Sequence, residues 1–291
     1  MRKSMKWVLL GVLLLGLLAS GVLAAAWVSS ERALARVWDV NDPPLAVEHT
    51  PDQVEKGAYL YVTRSCAVCH GDAGEGRLVE DVPPMRLVGS NLTPAGNASR
   101  YTDDGLARAI RHGIRHDGTP LVFMPVEDYA DLSDADTAAL IAYLRSLPPV
   151  APSRDAMRVK PLGRVLYMLG QFPLVPAEKI DHSPRPRGAP PAGPTAEYGA
   201  YVARTCVGCH GEGYGGQRVH GTPPSFPPAA DLTVLDTWEP ADFVRAMREG
   251  KRRDGSDMHP LMPWTAYKSM TDEELEALFA YFQSLGAAKR G

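Results

Sequence analysis

Two short stretches concentrate the chemistry of this 291-residue chain. Cys66-Ala67-Val68-Cys69-His70 and Cys206-Val207-Gly208-Cys209-His210 use all four cysteines, each pair separated by two residues and followed at once by a histidine. That separation puts both sulfurs on one side of a helical turn, where each can bond a vinyl-derived carbon of a porphyrin. The next histidine then lies over the iron. C-x-x-C-H is the attachment signature of c-type haem, so two covalently attached haem c groups are expected, held by Cys66, Cys69, Cys206 and Cys209, with His70 and His210 as proximal iron ligands. The competing uses fit less well. A zinc site does not need a fixed histidine after each pair, a thioredoxin-like dithiol needs a βαβ setting, and two disulfides would leave both histidines without a purpose.

A haem iron also needs a sixth ligand. Met124 and Met262 fall in the same place after their histidines, each followed by proline, and are expected to fill it. Met85 and Met258 do not recur, and His259 has Leu121 as its counterpart. Thioether ligation favours reduced iron and raises the potential. With both axial positions filled there is no open position for substrate, so no catalytic residue is expected. With all four cysteines committed, a thiolate iron ligand is excluded as well.

The elements that must position these groups are written twice. Residues 64–71 recur as 204–211 at an offset of 140, and Asn91-Leu92-Thr93 returns as Asp231-Leu232-Thr233. Past a short deletion, Arg108, Arg111 and Gly113 match Arg245, Arg248 and Gly250 on an amphipathic helix, and Tyr129 matches Tyr267. Each copy closes on a helix whose start carries a capping box, Ser133 with Asp136 and Thr271 with Glu274. Pro148-Pro149 and Gly286 are expected to stop these two helices. A helix beginning near Thr50-Pro51 precedes the first motif. No strand pattern stands out, so the expected class is all-α. The basic residues near the helix ends, Arg108, Arg111, Arg115, Arg245, Arg248, Lys251, Arg252 and Arg253, read as favourable to the helix dipole rather than as a docking patch.

The copies, residues 52–147 and 195–285, leave a segment 148–194 holding 11 of the 26 prolines, read as a partly stiff linker. Within it, Leu162 to Leu174 is apolar enough to brace the two copies. Residues 286–291 form a tail. At the other end, Trp7 to Val28 carries no charge after Arg2, Lys3 and Lys6, long enough to span a bilayer as a helix. Residues 1–30 are therefore read as a membrane anchor, a cleaved signal ending near Ala24-Ala25-Ala26 being the alternative, and 31–51 as a connecting segment. Either way the basic flank sends the rest outward, so the expected place is the inner membrane, single-pass, with both copies on the periplasmic side. A net charge of −3 gives no reason to expect a nucleic-acid partner.

The two motifs and the two Met-Pro pairs resemble those of class I c-type cytochromes. More narrowly, residues 91–94 (NLTP), 114–125 (IRHDGTPLVFMP) and 132–149 (LSDADTAALIAYLRSLPP) resemble the cytochrome subunits of membrane-bound alcohol and gluconate dehydrogenases. The resemblance implies two tandem class I domains after a transmembrane helix, each all-helical around its haem. It also implies a proline carbonyl, from Pro83 or Pro84 and from Pro223 or Pro224, as acceptor for each proximal histidine. The implied function is single-electron transfer between a periplasmic dehydrogenase or cytochrome bc complex and a terminal oxidase, not an enzyme in itself. Obligate membership of a membrane dehydrogenase or haem-copper oxidase complex is the alternative, and a dihaem peroxidase the more remote one.

Overall fold

A computed structural model describes residues 2–151, 155–219, 222 and 225–290. Helix α1 (Arg2–Leu34) contains an apolar stretch from Met5 with mean hydropathy 2.6, largely exposed as far as Ala25, with Ala26 and Ser30 buried further on. It is long and apolar enough to cross a membrane.

The first copy is built on α2 (Pro51–Thr63), α3 (Cys66–His70), α4 (Asp103–His112) and α5 (Asp134–Ser146). The second uses α7 (Ala196–Ala203), α8 (Val207–His210), α9 (Pro240–Glu249), α10 (Trp264–Tyr267) and α11 (Asp272–Arg290). In each copy the first helix crosses the last at a glycine. A Cβ on Gly57 would stand 2.0 Å from the Ala139 carbonyl oxygen, and one on Gly199 would stand 1.9 Å from that of Ala277. Only glycine permits that backbone approach. The middle helices are stapled to the last ones by equivalent arginines. Arg111 donates to the Leu132 carbonyl at 2.8 Å and pairs with Asp134, while Arg248 donates to the Met270 carbonyl at 2.6 Å and pairs with Asp272. These two arginines therefore hold the middle helix to the last, where the sequence pattern had suggested favourable interaction with the helix dipole.

Three features depart from the sequence reading. The loop after the first motif folds as a hairpin, β1 (Arg77–Val82) with β2 (Met85–Gly89), to which β3 (Arg158–Val159) adds an antiparallel third strand. The expected all-α copy thus gains a small sheet, and its alternation is masked by the bulge between Leu78 and Glu80. Gly286 does not end α11, which runs on to Arg290. Its missing side chain instead lets the helix approach the Thr233 carbonyl, which a Cβ would meet at 2.3 Å. Finally, the linker is packed, and not between the copies. Phe172, Leu174 and Val175 bury with Val40 of the segment after α1 and with Met85 and Ile114 of the first copy, while α6 (Pro161–Met168) lies on α1. Buried Arg164 bonds Ser30 at 2.6 Å, pairs with Glu31 at 2.7 Å and covers the Trp27 ring.

The copies face one another through the capping boxes. Ser133 Oγ accepts the Asp136 amide hydrogen and Thr271 Oγ1 that of Glu274, the expected half of each box. The other half is interrupted by the opposite copy. Tyr201 accepts from the Ser133 amide at 3.0 Å and donates to Asp136 at 2.5 Å. Reciprocally, Tyr59 accepts from the Thr271 amide at 3.0 Å and donates to Glu274.

Candidate haem-binding sites

Each attachment motif occupies one short helical turn closed by a glycine at positive φ, Gly71 after His70 and Gly211 after His210. The chain turns back there, and the loop that follows supplies a carbonyl to the histidine. His70 Nδ1 donates to Ser90 O and His210 Nδ1 to Ala230 O, both at 2.8 Å. In each copy the expected proline acceptor is therefore replaced by a residue six or seven positions further on. Pro84 O accepts from the Lys160 amide instead, and Pro223 and Pro224 lie outside the described residues. The cause is local: the Asn91 and Asp231 side chains each bind the amide and hydroxyl of the threonine two residues on. Those turns fix the preceding carbonyl toward the imidazole. The same bonds give Asn91, Thr93, Asp231 and Thr233 a loop-ordering role.

Fixing Nδ1 as the donor leaves Nε2 as the nitrogen with a lone pair to offer. Burial lowers the pKa of both histidines, with the carbonyl bond opposing it, so the rings stay neutral. The four thiols are unpaired and partly buried. Burial pushes Cys66 and Cys206 up to about 12 and Cys209 up to about 11, and raises Cys69. Among the described residues, no group of three or more His, Cys, Asp and Glu side chains is placed to hold a metal ion.

The methionine loops repeat in detail. The amide two residues past each methionine donates back to its carbonyl at 2.8 Å, from Val126 to Met124 and from Trp264 to Met262. Met262 packs on the same apolar cluster as Cys206. Met124 follows Phe123, which stacks on Phe172 of the linker at 5.2 Å. Each copy thus carries two thiols, a neutral imidazole and a thioether, residue types that can attach a porphyrin and ligate its iron.

The family model for cytochrome c matches residues 54–148 and again 196–286, more than half of the chain. The chain belongs to the cytochrome c family. Covalently bound haem c and electron transport come with that membership, and the cytochrome is an electron-transfer protein rather than a catalyst. It is 25% identical over 279 residues to the cytochrome c subunit of a quinone alcohol dehydrogenase from Gluconobacter oxydans, covering 82% of this chain and 56% of that one. The corresponding subunit from Gluconacetobacter polyoxogenes is 32% identical over 130 residues, 41% of this chain and 27% of its own. The gluconate 2-dehydrogenase cytochrome c subunit of Pantoea cypripedii is 33% identical over 96 residues, 29% of this chain and 22% of its own. The cytochrome thus spans about half, or less, of the length of these relatives.

Both attachment turns of the cytochrome lie at the contact between its copies. The 3₁₀ turn Val126–Asp128 packs on α8, and α10 packs on α2. Tyr129 donates to the Arg64 carbonyl at 2.9 Å and Tyr267 lies beside Ser65, so both tyrosines brace the chain just before Cys66. Buried Arg64 pairs with buried Glu274 across the contact at 3.0 Å. Sequence reading did not find Tyr59, Tyr201, Glu274 or Asp128 as cross-copy groups. A signal existed for the tyrosines: Gly57 and Tyr59 match Gly199 and Tyr201 at an offset of 142, hidden by the 140 offset of the motif that follows.

Proposed function

We propose that this cytochrome is a dihaem carrier of single electrons serving a membrane-bound dehydrogenase. In this reading Cys66 and Cys69 attach one haem c with His70 and Met124 as its axial ligands, and Cys206 and Cys209 attach the other with His210 and Met262. Haem c, when bound, supplies a one-electron iron couple at each site. The chain's residues attach it, hold each imidazole neutral with Nε2 outward, and keep both attachment turns at the contact between the copies. Helix α1 anchors the chain in the inner membrane, with both copies on the periplasmic side. The carrying observation is the duplicated turn in which a C-x-x-C-H histidine is oriented by a 2.8 Å bond to a backbone carbonyl. The names of the relatives support a dehydrogenase, rather than a cytochrome bc complex, as the donor, and a terminal oxidase is the acceptor that completes the chain of transfer.

The test is purification from native membranes in detergent. The expected result is two covalent haems per chain by intact mass and pyridine haemochrome, with a dehydrogenase subunit co-purifying. A chain carrying one haem or none overturns the dihaem reading, and two haems without any dehydrogenase overturns the assigned donor.

A further inference from the structure

The contact between the copies is reciprocal in its tyrosines and one-sided at a carboxylate. Asp128, on the turn after the first methionine loop, crosses to the second copy, where its Oδ1 accepts the Gly208 amide hydrogen at 2.8 Å. Gly208 is the second spacer residue of the second attachment motif. A Cβ there would stand 3.0 Å from Asp128 Oδ2, so glycine leaves the room that the carboxylate fills. At the corresponding positions, Ala266 stands for Asp128 and Val68 for Gly208. Val68 packs against the apolar cluster that contains Ala266 and Tyr267. One attachment turn therefore meets a carboxylate from the opposite copy, and the other meets hydrocarbon.

The geometry points to Asp128 as a positioning and tuning residue for the second haem: a carboxylate supplied by the first copy that is hydrogen-bonded inside the second attachment motif and lowers that haem's reduction potential relative to the first. The inference rests on the dihaem reading. A negative charge held in a low-dielectric contact favours the oxidised iron, which carries one more positive charge than the reduced form. Among the charged groups around it, Arg204 opposes the carboxylate's protonation, whereas Glu127 on the same turn and Glu212 past the second motif favour it. On the far side of the turn, α4 ends in Arg111 and His112, which are engaged by Asp134 and Asp42. The packed turn Pro176–Lys179 brings Lys179 and Glu178, the latter bound by Tyr167. On α8, His210 is neutral.

Burial raises the Asp128 carboxyl to about 8, against the Gly208 bond that favours its ionised form. Its charge is thus present above that pH and lost below it. Between pH 6 and pH 9 the second haem's potential falls, and an electron taken up by that haem is matched by a proton moving from water to the carboxylate.

The test is a spectroelectrochemical titration of the detergent-solubilised full chain at pH 6, 7, 8 and 9, wild type against Asp128→Asn. Met262→His marks the second haem as the wave it displaces. In the wild type, the second wave should move down with pH and the first should stay level. In Asp128→Asn, the second wave should shift up at pH 9, change little at pH 6 and lose its pH dependence. A second wave in the wild type that is level with pH overturns the inference, as does an Asp128→Asn shift that is absent or equal in both waves. The dihaem reading fails separately, by haem count or by a Met262→His variant that displaces neither wave.

Discussion

The two copies share a helical frame and differ in what encloses it. Around the first copy lie the β1–β2 hairpin, the segment after α1, and the linker. Around the second, the described residues after α8 hold only turns and coil until the 3₁₀ turn Leu232–Thr237. The arginine just before each motif differs as well, at the contact between the copies. Arg64 has 4% of its side chain exposed and pairs with Glu274 at 5%, whereas its counterpart Arg204 is 30% exposed and reaches Asp131 at 3.6 Å and Glu212 at 3.4 Å. Duplication supplied the cofactor frame, and the unduplicated segments together with an uneven contact between the copies made its surroundings unequal.

The largest expected effect tests that inequality directly. Arg64→Met leaves the Glu274 carboxylate buried with Tyr59 as its remaining partner, at a cost of about 3–5 kcal/mol. Arg204→Met removes a solvent-screened pair and should cost less than about 1 kcal/mol. Chemical denaturation of the holoprotein reads both. Equal losses would mean that the two arginines are not differently enclosed.

A smaller effect tests what the copies have in common. Tyr201→Phe removes the hydroxyl between the Ser133 amide and Asp136, and Tyr59→Phe removes the one between the Thr271 amide and Glu274. Each should cost about 1–3 kcal/mol for the polar groups left without that partner. The two losses should be similar, because the contact is reciprocal here. If Tyr59→Phe is much the costlier, the neighbouring Arg64–Glu274 pair dominates and the reciprocity is only geometric. Paired denaturation curves decide it.

These contrasts mark how far the sequence could be read. The helices around the two C-x-x-C-H turns followed from spacing and capping residues, because capping acts over a few residues. The small sheet did not, since β3 is a two-residue strand whose partner lies some seventy residues earlier. Asp136 and Glu274 were legible as capping acids but not as acceptors for tyrosines more than sixty residues away, because a capping box predicts a bond within its own helix. Pro83 or Pro84 was assigned to the histidine by likeness to other loops, while the Asn91 side chain fixes the Ser90 carbonyl in that role. Where a contact joined one copy to the other or to the linker, periodicity carried no information about it.

The last contrast is acid sensitivity. His112, at the end of α4, is fully buried, and Glu249 holds its place in the second copy, exposed. The His112 ring bonds Asp42 at 2.8 Å through Nε2 and faces His182 at 2.9 Å through Nδ1, with Arg187 at 3.2 Å. Burial lowers its pKa, Asp42 opposes that shift, and Arg187 and His182 add to it. The sign follows from linkage. With the folded pKa below the unfolded value of about 6.5, the unfolded chain binds more protons as pH falls through that range. The stability contributed by neutral His112 is therefore present above about pH 6.5 and lost progressively below it. Hydrogen exchange from pH 7.5 to 5.0, corrected for the intrinsic rate, should show protection falling in α4 and around His182 before it falls in α9. His112→Gln, which carries no titrating proton, should abolish that order. If α9 loosens first in the wild type, the acid-sensitive site lies in the second copy, and the enclosure of the first does not set its response to pH.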